Sequence, residues 1–160
     1  MKIVRFEDPT GSIKPGILTD DGVVDVSALT ADLEAYTPQR LMESFIDNFD
    51  RLRPALDAAV AAGPALSLDS VKLRAPLPRP SKLLCCIGNY WEHAQLEREG
   101  RNLNMFLKSP DAIIGPGDTV HLPAWTDPYT YQHEAELALV FKGPSKDVTQ
   151  DNWKSAIFGY

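Results

Sequence analysis

The chain has no run of apolar residues approaching the roughly 18 that a membrane span needs. Its first eleven residues, MKIVRFEDPTG, meet an acid and a proline before any signal-peptide apolar core forms. Cysteine is scarce: Cys85 and Cys86 are the only two, and they are adjacent, a spacing in which an ordinary disulfide is geometrically awkward. No His or Cys stands at ligand spacing from them, which excludes a zinc site. KLLCCIG therefore reads as a strand with buried structural thiols, and a reducing cytoplasm is the expected compartment. Positive charge is also short, 16 Lys and Arg against 22 Asp and Glu for a net of -6. Nucleic acid is thus an unexpected partner, because binding it needs clustered cations to replace phosphate counterions. No glycine loop is built for a phosphate: GPGD loses a donor at its proline, and no helix start follows.

What is present is an ordinary globular composition, 44% hydrophobic and 24% charged. The 160 residues suffice for one medium domain, or for a small domain and part of a larger one. KIVRF alternates as a strand. KPGILTDDGVVDVS gives two short strands around Asp21-Gly22, favoured chemistry for a tight hairpin. Thr37-Pro38 reads as N-cap and first turn of a helix, with Leu41, Met42, Phe45, Ile46, Phe49 and Leu52 as its apolar stripe. A second helix, Pro54 to Ala62, stops at Gly63-Pro64. Residues 1–72 form a small α+β unit on this reading. RAPLPRPSK, with prolines at every second position, is an extended linker over 73–82.

The remainder, 83–160, holds the residues with chemistry. KLLCCIG leads to NYWEHAQLEREG, a helix ending near Gly100. NMFLKSP and DAIIGPGDTVHLP read as strand, turn and strand, with Gly115 to Asp118 forcing the turn. SKDVTQDNWKSAIFGY reads as the start of a helix. Trp125 and Trp153 are expected to be packing residues, His133 structural and His121 a loop residue.

YTYQHEAELALVFKG poses a contradiction. Its second half reads as a strand apolar on both faces, yet Glu134 and Glu136 stand two apart and so point the same way. Two like charges beside an apolar run repel, and one must stay protonated unless a cation lies between them. Oxygen ligands suit a hard ion, Mg²⁺, Mn²⁺ or Ca²⁺. Alternatively the strand has barely begun and both are solvated. On the expected helix, His93 shares a face with Tyr90 and Glu97. That is either a base supported by a carboxylate or an incidental surface pair. Lys108, closing an apolar strand, either snorkels or holds a substrate carboxylate.

PRPSKLLCCIGNYWEHA, FLKSPDAIIGPGDTVHLP and HEAELALVFKG followed by FGY occur in this order, and together they resemble the fumarylacetoacetate hydrolase family. The resemblance runs from Pro76 to Tyr160, the N-terminal half of that family's catalytic domain. Residues 1–72 resemble the small N-terminal domain of many members. It implies an α+β chain whose second part belongs to a mixed β-sandwich roll, commonly a homodimer, with Mg²⁺ or Mn²⁺ bound. Glu134 and Glu136 match the family's Glu-x-Glu metal ligands, and His93 matches the base of its Asn-Tyr-x-x-His motif. Asn89 and Tyr90 of that motif, with Lys108 of the Phe-x-Lys motif, are implied to contact substrate.

The implied substrates are 2-oxo or 1,3-dicarbonyl acids. The leading implied reaction is hydrolysis of a C–C bond, with hydration, decarboxylation and isomerisation as alternatives. The family's dyad glutamate falls at Leu96 here, and Glu97 is the candidate substitute. In the family, a segment beyond GY carries an aspartate as third metal ligand. The expectation is therefore a fragment of a longer product, or a chain completed by a second one. A non-catalytic binding protein is the alternative of a different class.

Overall fold

The computed structural model of the chain describes residues 1–63, 65–90, 103–125 and 131–160. It begins with β1 (Lys2–Glu7), β2 (Ile13–Thr19) and β3 (Gly22–Asp25). The alternating KIVRF pattern pairs with β2 from Lys2↔Leu18 to Glu7↔Ile13. The β2–β3 hairpin closes tightly, with Thr19 facing Gly22 across Asp20-Asp21. Gly22 is required there. Its φ is +132°, and a Cβ would stand 2.1 Å from the Leu66 carbonyl oxygen. That carbonyl accepts from the Val23 amide at 2.9 Å.

Helix α1 (Pro38–Asp47) opens as the sequence reading expects, with the Thr37 hydroxyl accepting from the Arg40 amide at 3.0 Å. The next boundary differs from expectation. The apolar stripe is not one helix to Leu52 followed by another from Pro54. The chain breaks at Asn48 (φ -103°, ψ 8°), and α2 runs Phe49–Ala62 with Pro54 inside it. Asn48 accounts for the break, since both its backbone N–H and its side-chain amide donate to the Ser44 carbonyl, at 3.0 and 2.9 Å. Pro54, the sixth residue of α2, lies past the first turn, so its missing N–H removes one helical hydrogen bond, the one to the Asp50 carbonyl. Phe45, Leu52 and Leu56 pack with Ile17, Val24 and Val26 as one buried cluster between helices and sheet.

Strand β4 (Lys72–Arg74) joins the outer side of β1, completing an antiparallel sheet of order β3-β2-β1-β4. The proline segment that follows forms no regular element but is tied down. The Arg5 guanidinium donates to the Ala75 carbonyl at 3.0 Å, and the Arg79 amide donates to the Gln39 side-chain carbonyl at 3.0 Å.

Beyond it, β5 (Leu83–Ile87) and β6 (Asn104–Lys108) form an antiparallel ladder from Leu83↔Lys108 to Ile87↔Asn104. Two short strands, β7 (Val140–Phe141) and β8 (Ile157–Gly159), form another. Several expectations are corrected here. Residues 131–139 are irregular and exposed rather than a doubly buried central strand. A strand exists by pairing, and among the described residues none lies alongside them. Residues 119–125 form no strand, although the expected turn is present, with the Asp118 amide donating to the Gly115 carbonyl at 3.1 Å. The final segment makes one 3₁₀ turn, Trp153–Ala156, and then β8, not a helix. The Asn152 side chain accepts from the Thr149 amide at 2.8 Å and closes a local turn there, and Ile157 and Gly159 pair with β7 instead.

Cys85 and Cys86 are free and half-buried rather than buried. Trp125 is 86% exposed and Trp153 is also exposed, so neither is a core packing residue. Of the helix expected over 89–100, residues 91–100 lie outside the described residues, and Asn89 and Tyr90 belong to no helix.

Candidate active site

The residues singled out from sequence lie on three pieces of the second region. Strand β5 is followed by Gly88, whose φ of 61° is left-handed, a conformation that costs glycine little. The chain turns there and presents Asn89 and Tyr90, both exposed. His93, Leu96 and Glu97 lie outside the described residues. Lys108 closes β6, opposite Leu83. Its ammonium stands 5.7 Å from the centre of the Phe106 ring on the same strand, within reach of a cation–π attraction.

Glu134 and Glu136 lie on the irregular segment 131–139 and are exposed. The contradiction in the sequence is therefore relieved by water: two solvated carboxylates two residues apart need no counter-ion to coexist. Among the described residues, no group of three His, Cys, Asp or Glu side chains is placed to share a metal ion. The donor chemistry still fits a hard divalent cation. Mg²⁺ in particular is commonly held by one or two carboxylates and keeps several waters.

One contact brings two of the predicted pieces together. The Leu137 amide, directly after Glu136, donates to the Tyr90 phenol oxygen at 2.8 Å. Nothing described places Asn89 or Lys108 in contact with the two glutamates.

Sequence reasoning missed the anchoring around Asp118, having read GPGD as a turn alone. Asp118 Oδ2 accepts from the Gly115 amide at 2.9 Å, and its Oδ1 takes a charged bond from Lys72 Nζ at 2.7 Å. Donation by Lys72, then by the Gly115 amide, holds the Asp118 carboxyl below the ordinary carboxylate range. Arg74 stands 3.8 Å from the same oxygen and also pairs with Glu7 on β1. Arg79 pairs with Asp111. Lys142, beside β7, reaches Asp50 on α2 at 3.2 Å. The only signal for these was charge at the edges of turns, which does not name its partner.

A cleft of about 500 Å³ lies in the first region, lined by Asp8, Lys14, Val24, Asp25, Ala59 and Leu66 among others. None of the candidate residues borders it. Its charges are already matched, Lys14 standing 2.8 Å from Asp8 and 3.2 Å from Asp25. Among the described residues no helix is long and apolar enough to cross a membrane.

Comparison with known proteins assigns this arrangement to a family. Residues 82–160 match the family model described as fumarylacetoacetate (FAA) hydrolase C-terminal. An oxaloacetate tautomerase of Xenopus laevis, described as mitochondrial, is 27% identical over 166 residues, spanning 100% of this chain and 50% of its own length. A maleylpyruvate hydrolase of Aquipseudomonas alcaligenes is 25% identical, with 100% of this chain and 59% of its own length covered. The maleylpyruvate hydrolase of Sphingobium sp. SYK-6, solved with manganese(II) and pyruvate, superposes with a TM-score of 0.80. It is 33% identical, over 100% of this chain and 56% of that one. The chain thus spans about half the length of the curated relatives it matches. Its α+β architecture is that of the maleylpyruvate hydrolase fold over its whole length, and the chain belongs to the fumarylacetoacetate hydrolase family.

Proposed function

We propose that this chain contributes to an enzyme that processes a small oxo acid at a divalent-metal site. The leading reaction is hydrolysis of a C–C bond in a 2-oxo or 1,3-dicarbonyl acid. The observation that carries the reading is the whole-chain superposition on a maleylpyruvate hydrolase solved with manganese(II) and pyruvate. On this reading residues 1–72 are a small N-terminal domain, 73–82 a linker, and 83–160 half of a catalytic domain.

Glu134 and Glu136 would hold the metal, Mg²⁺ or Mn²⁺, with Ca²⁺ a further hard ion of suitable chemistry. When bound, such an ion polarises a carbonyl oxygen and stabilises the enolate charge that develops beside it. His93 is assigned the base, taking a proton from water, with Glu97 standing in for the family's dyad glutamate, whose position, one residue earlier, is Leu96 here. Lys108, at the open end of β6, offers an ammonium to a substrate carboxylate, and Asn89 an amide. The assembly proposed is a homodimer.

Tautomerisation is the alternative within the family, favoured by the oxaloacetate tautomerase among its relatives. It needs only proton transfer next to a carbonyl, so the same base and the same polarising charge suffice. A non-catalytic binding role is favoured by one observation alone, the lack of a third donor beside Glu134 and Glu136 among the described residues.

Turnover of maleylpyruvate and oxaloacetate, with and without chelator, tests the reading. Metal-dependent loss of maleylpyruvate supports hydrolysis, and metal-dependent keto–enol exchange of oxaloacetate supports tautomerisation. Neither activity, with Mn²⁺ bound equally by the protein and by Glu134→Gln, overturns both.

A further inference from the structure

Residues 131–139 carry both candidate metal ligands, yet no regular element holds them. Among the described residues, their one hydrogen bond is the donation from the Leu137 amide to the Tyr90 phenol oxygen, 47 residues earlier in the chain. The Leu137 N–H belongs to the peptide unit whose carbonyl is that of Glu136, and such a unit is planar. Holding that N–H therefore restrains the peptide plane that leaves the Glu136 Cα, and with it the backbone from which the Glu136 side chain projects. Glu134, two residues earlier, projects to the same side wherever the backbone is extended. Tyr90 is itself held close to a paired element, since only Gly88 and Asn89 separate it from β5, and β5 is in five-residue register with β6.

We infer that Tyr90 is a positioning residue for the Glu134–Glu136 pair, its phenol oxygen locking the Glu136–Leu137 peptide plane. This differs from the role that the family resemblance implies, contact with substrate. It ties the motif that carries the candidate base to the segment that carries the candidate ligands. A phenol accepting one hydrogen bond keeps its own O–H to donate, so the tether leaves that proton available to a neighbouring group.

The purpose given to Tyr90 rests on the metal reading of the two glutamates, whereas the tether does not, and the experiment separates them. Water-exchange NMR of the full chain follows the Leu137 amide in the protein and in Tyr90→Phe, which keeps the ring and removes only the oxygen. Exchange at Leu137 is expected to quicken about five-fold, the size of one ordinary net hydrogen bond, while the β5 and β6 amides keep their rates. Mn²⁺ affinity, measured by titration on the same samples, is expected to weaken by a similar factor. An unchanged Leu137 rate in Tyr90→Phe overturns the proposal, as does a quickened rate with unchanged Mn²⁺ affinity while Glu136→Gln abolishes binding. If Glu136→Gln binds Mn²⁺ as well as the unmodified chain, the metal reading fails, and the Leu137 rate alone then decides the tether.

Discussion

The two regions of the chain solve the burial problem to very different extents. In residues 1–74 a four-stranded sheet is covered by two helices, and every buried hydrophobic residue described lies there, from Phe6 to Leu56. In residues 83–160 the described strands pair only two by two. Leu84, Met105, Leu107, Leu137 and Phe141 are all exposed large hydrophobics. A two-stranded ladder on its own is marginal in water, because neither of its faces is dry. The difference is one of partners rather than composition. Apolar residues stabilise only where a second layer removes them from water, and β1–β4 have that layer while β5 and β6, among the described residues, do not.

Matched truncations in the two regions make the largest break in that comparison. Phe45 is fully buried, and Phe45→Ala is expected to cost about 3–5 kcal/mol, the range for emptying an aromatic core site. Leu107 is 68% exposed, and Leu107→Ala should stay within about 0.5 kcal/mol, as for surface changes. Urea unfolding of both variants checks this. Equal losses would mean that Leu107 is covered in solution and that the regions are alike. Gly22→Ala should follow at about 1–3 kcal/mol, because it puts a side chain at positive φ and against the Leu66 carbonyl. A melting curve unchanged by that substitution would show the β2–β3 turn to be looser than its geometry here.

The same division governs what was legible in the sequence. The β2–β3 hairpin, the Thr37 cap and the stripe through Phe45 were readable because each is decided within a few residues. The end of α1 was misread because Pro54 looked like a helix start, whereas Asn48 sets the break with bonds to its own preceding turn. The segment 131–139 was misread for a deeper reason. Its apolar alternation is that of a buried strand, but pairing and burial depend on neighbours that no local pattern supplies. For the candidate site, the spacing of Glu134 and Glu136 was plain, and so was the motif around Asn89 and Tyr90. Their connection through Leu137 was not, because it joins residues 47 apart. The Lys72–Asp118 pair was hidden in the same way, across 46 residues.

Phe158 on β8 links the two regions. Its ring meets Phe49 edge-on at 5.1 Å between centroids, an arrangement worth about 0.5–1.5 kcal/mol beyond its buried area. Phe158→Ala should lower the unfolding free energy by at least about 0.5–1.5 kcal/mol, since the buried area of the ring is lost as well, and shift the NMR signals of α2 near Phe49. Unperturbed α2 signals would mean that Phe158 does not meet Phe49 in solution.

The smallest effect expected is electrostatic, and it sets a local carboxylate against a long-range one. Asp8 accepts from Lys14 at 2.8 Å and from the Thr10 amide at 2.8 Å, all within one turn of chain. Asp118 depends on Lys72 across the regions. Donation from Lys14, then Thr10, holds the Asp8 carboxyl well below its ordinary value, and donation from Lys72 lowers that of Asp118. A carboxyl whose pKa is lower folded than unfolded adds stability above its unfolded pKa, near 3.9. That contribution is lost as pH falls through the folded value. Both groups therefore weaken the fold only on acidification below about pH 4. Salt distinguishes them, since an exposed pair is screened while the backbone amides at Asp8 stay in place. Following the Gly115 and Thr10 amide shifts against pH, at low and at high salt, should show the Asp118 inflection moving up with salt more than that of Asp8. Equal movement would mean that Asp118 is held by its own turn, through Gly115, and that the charge bridge between the regions adds nothing to it.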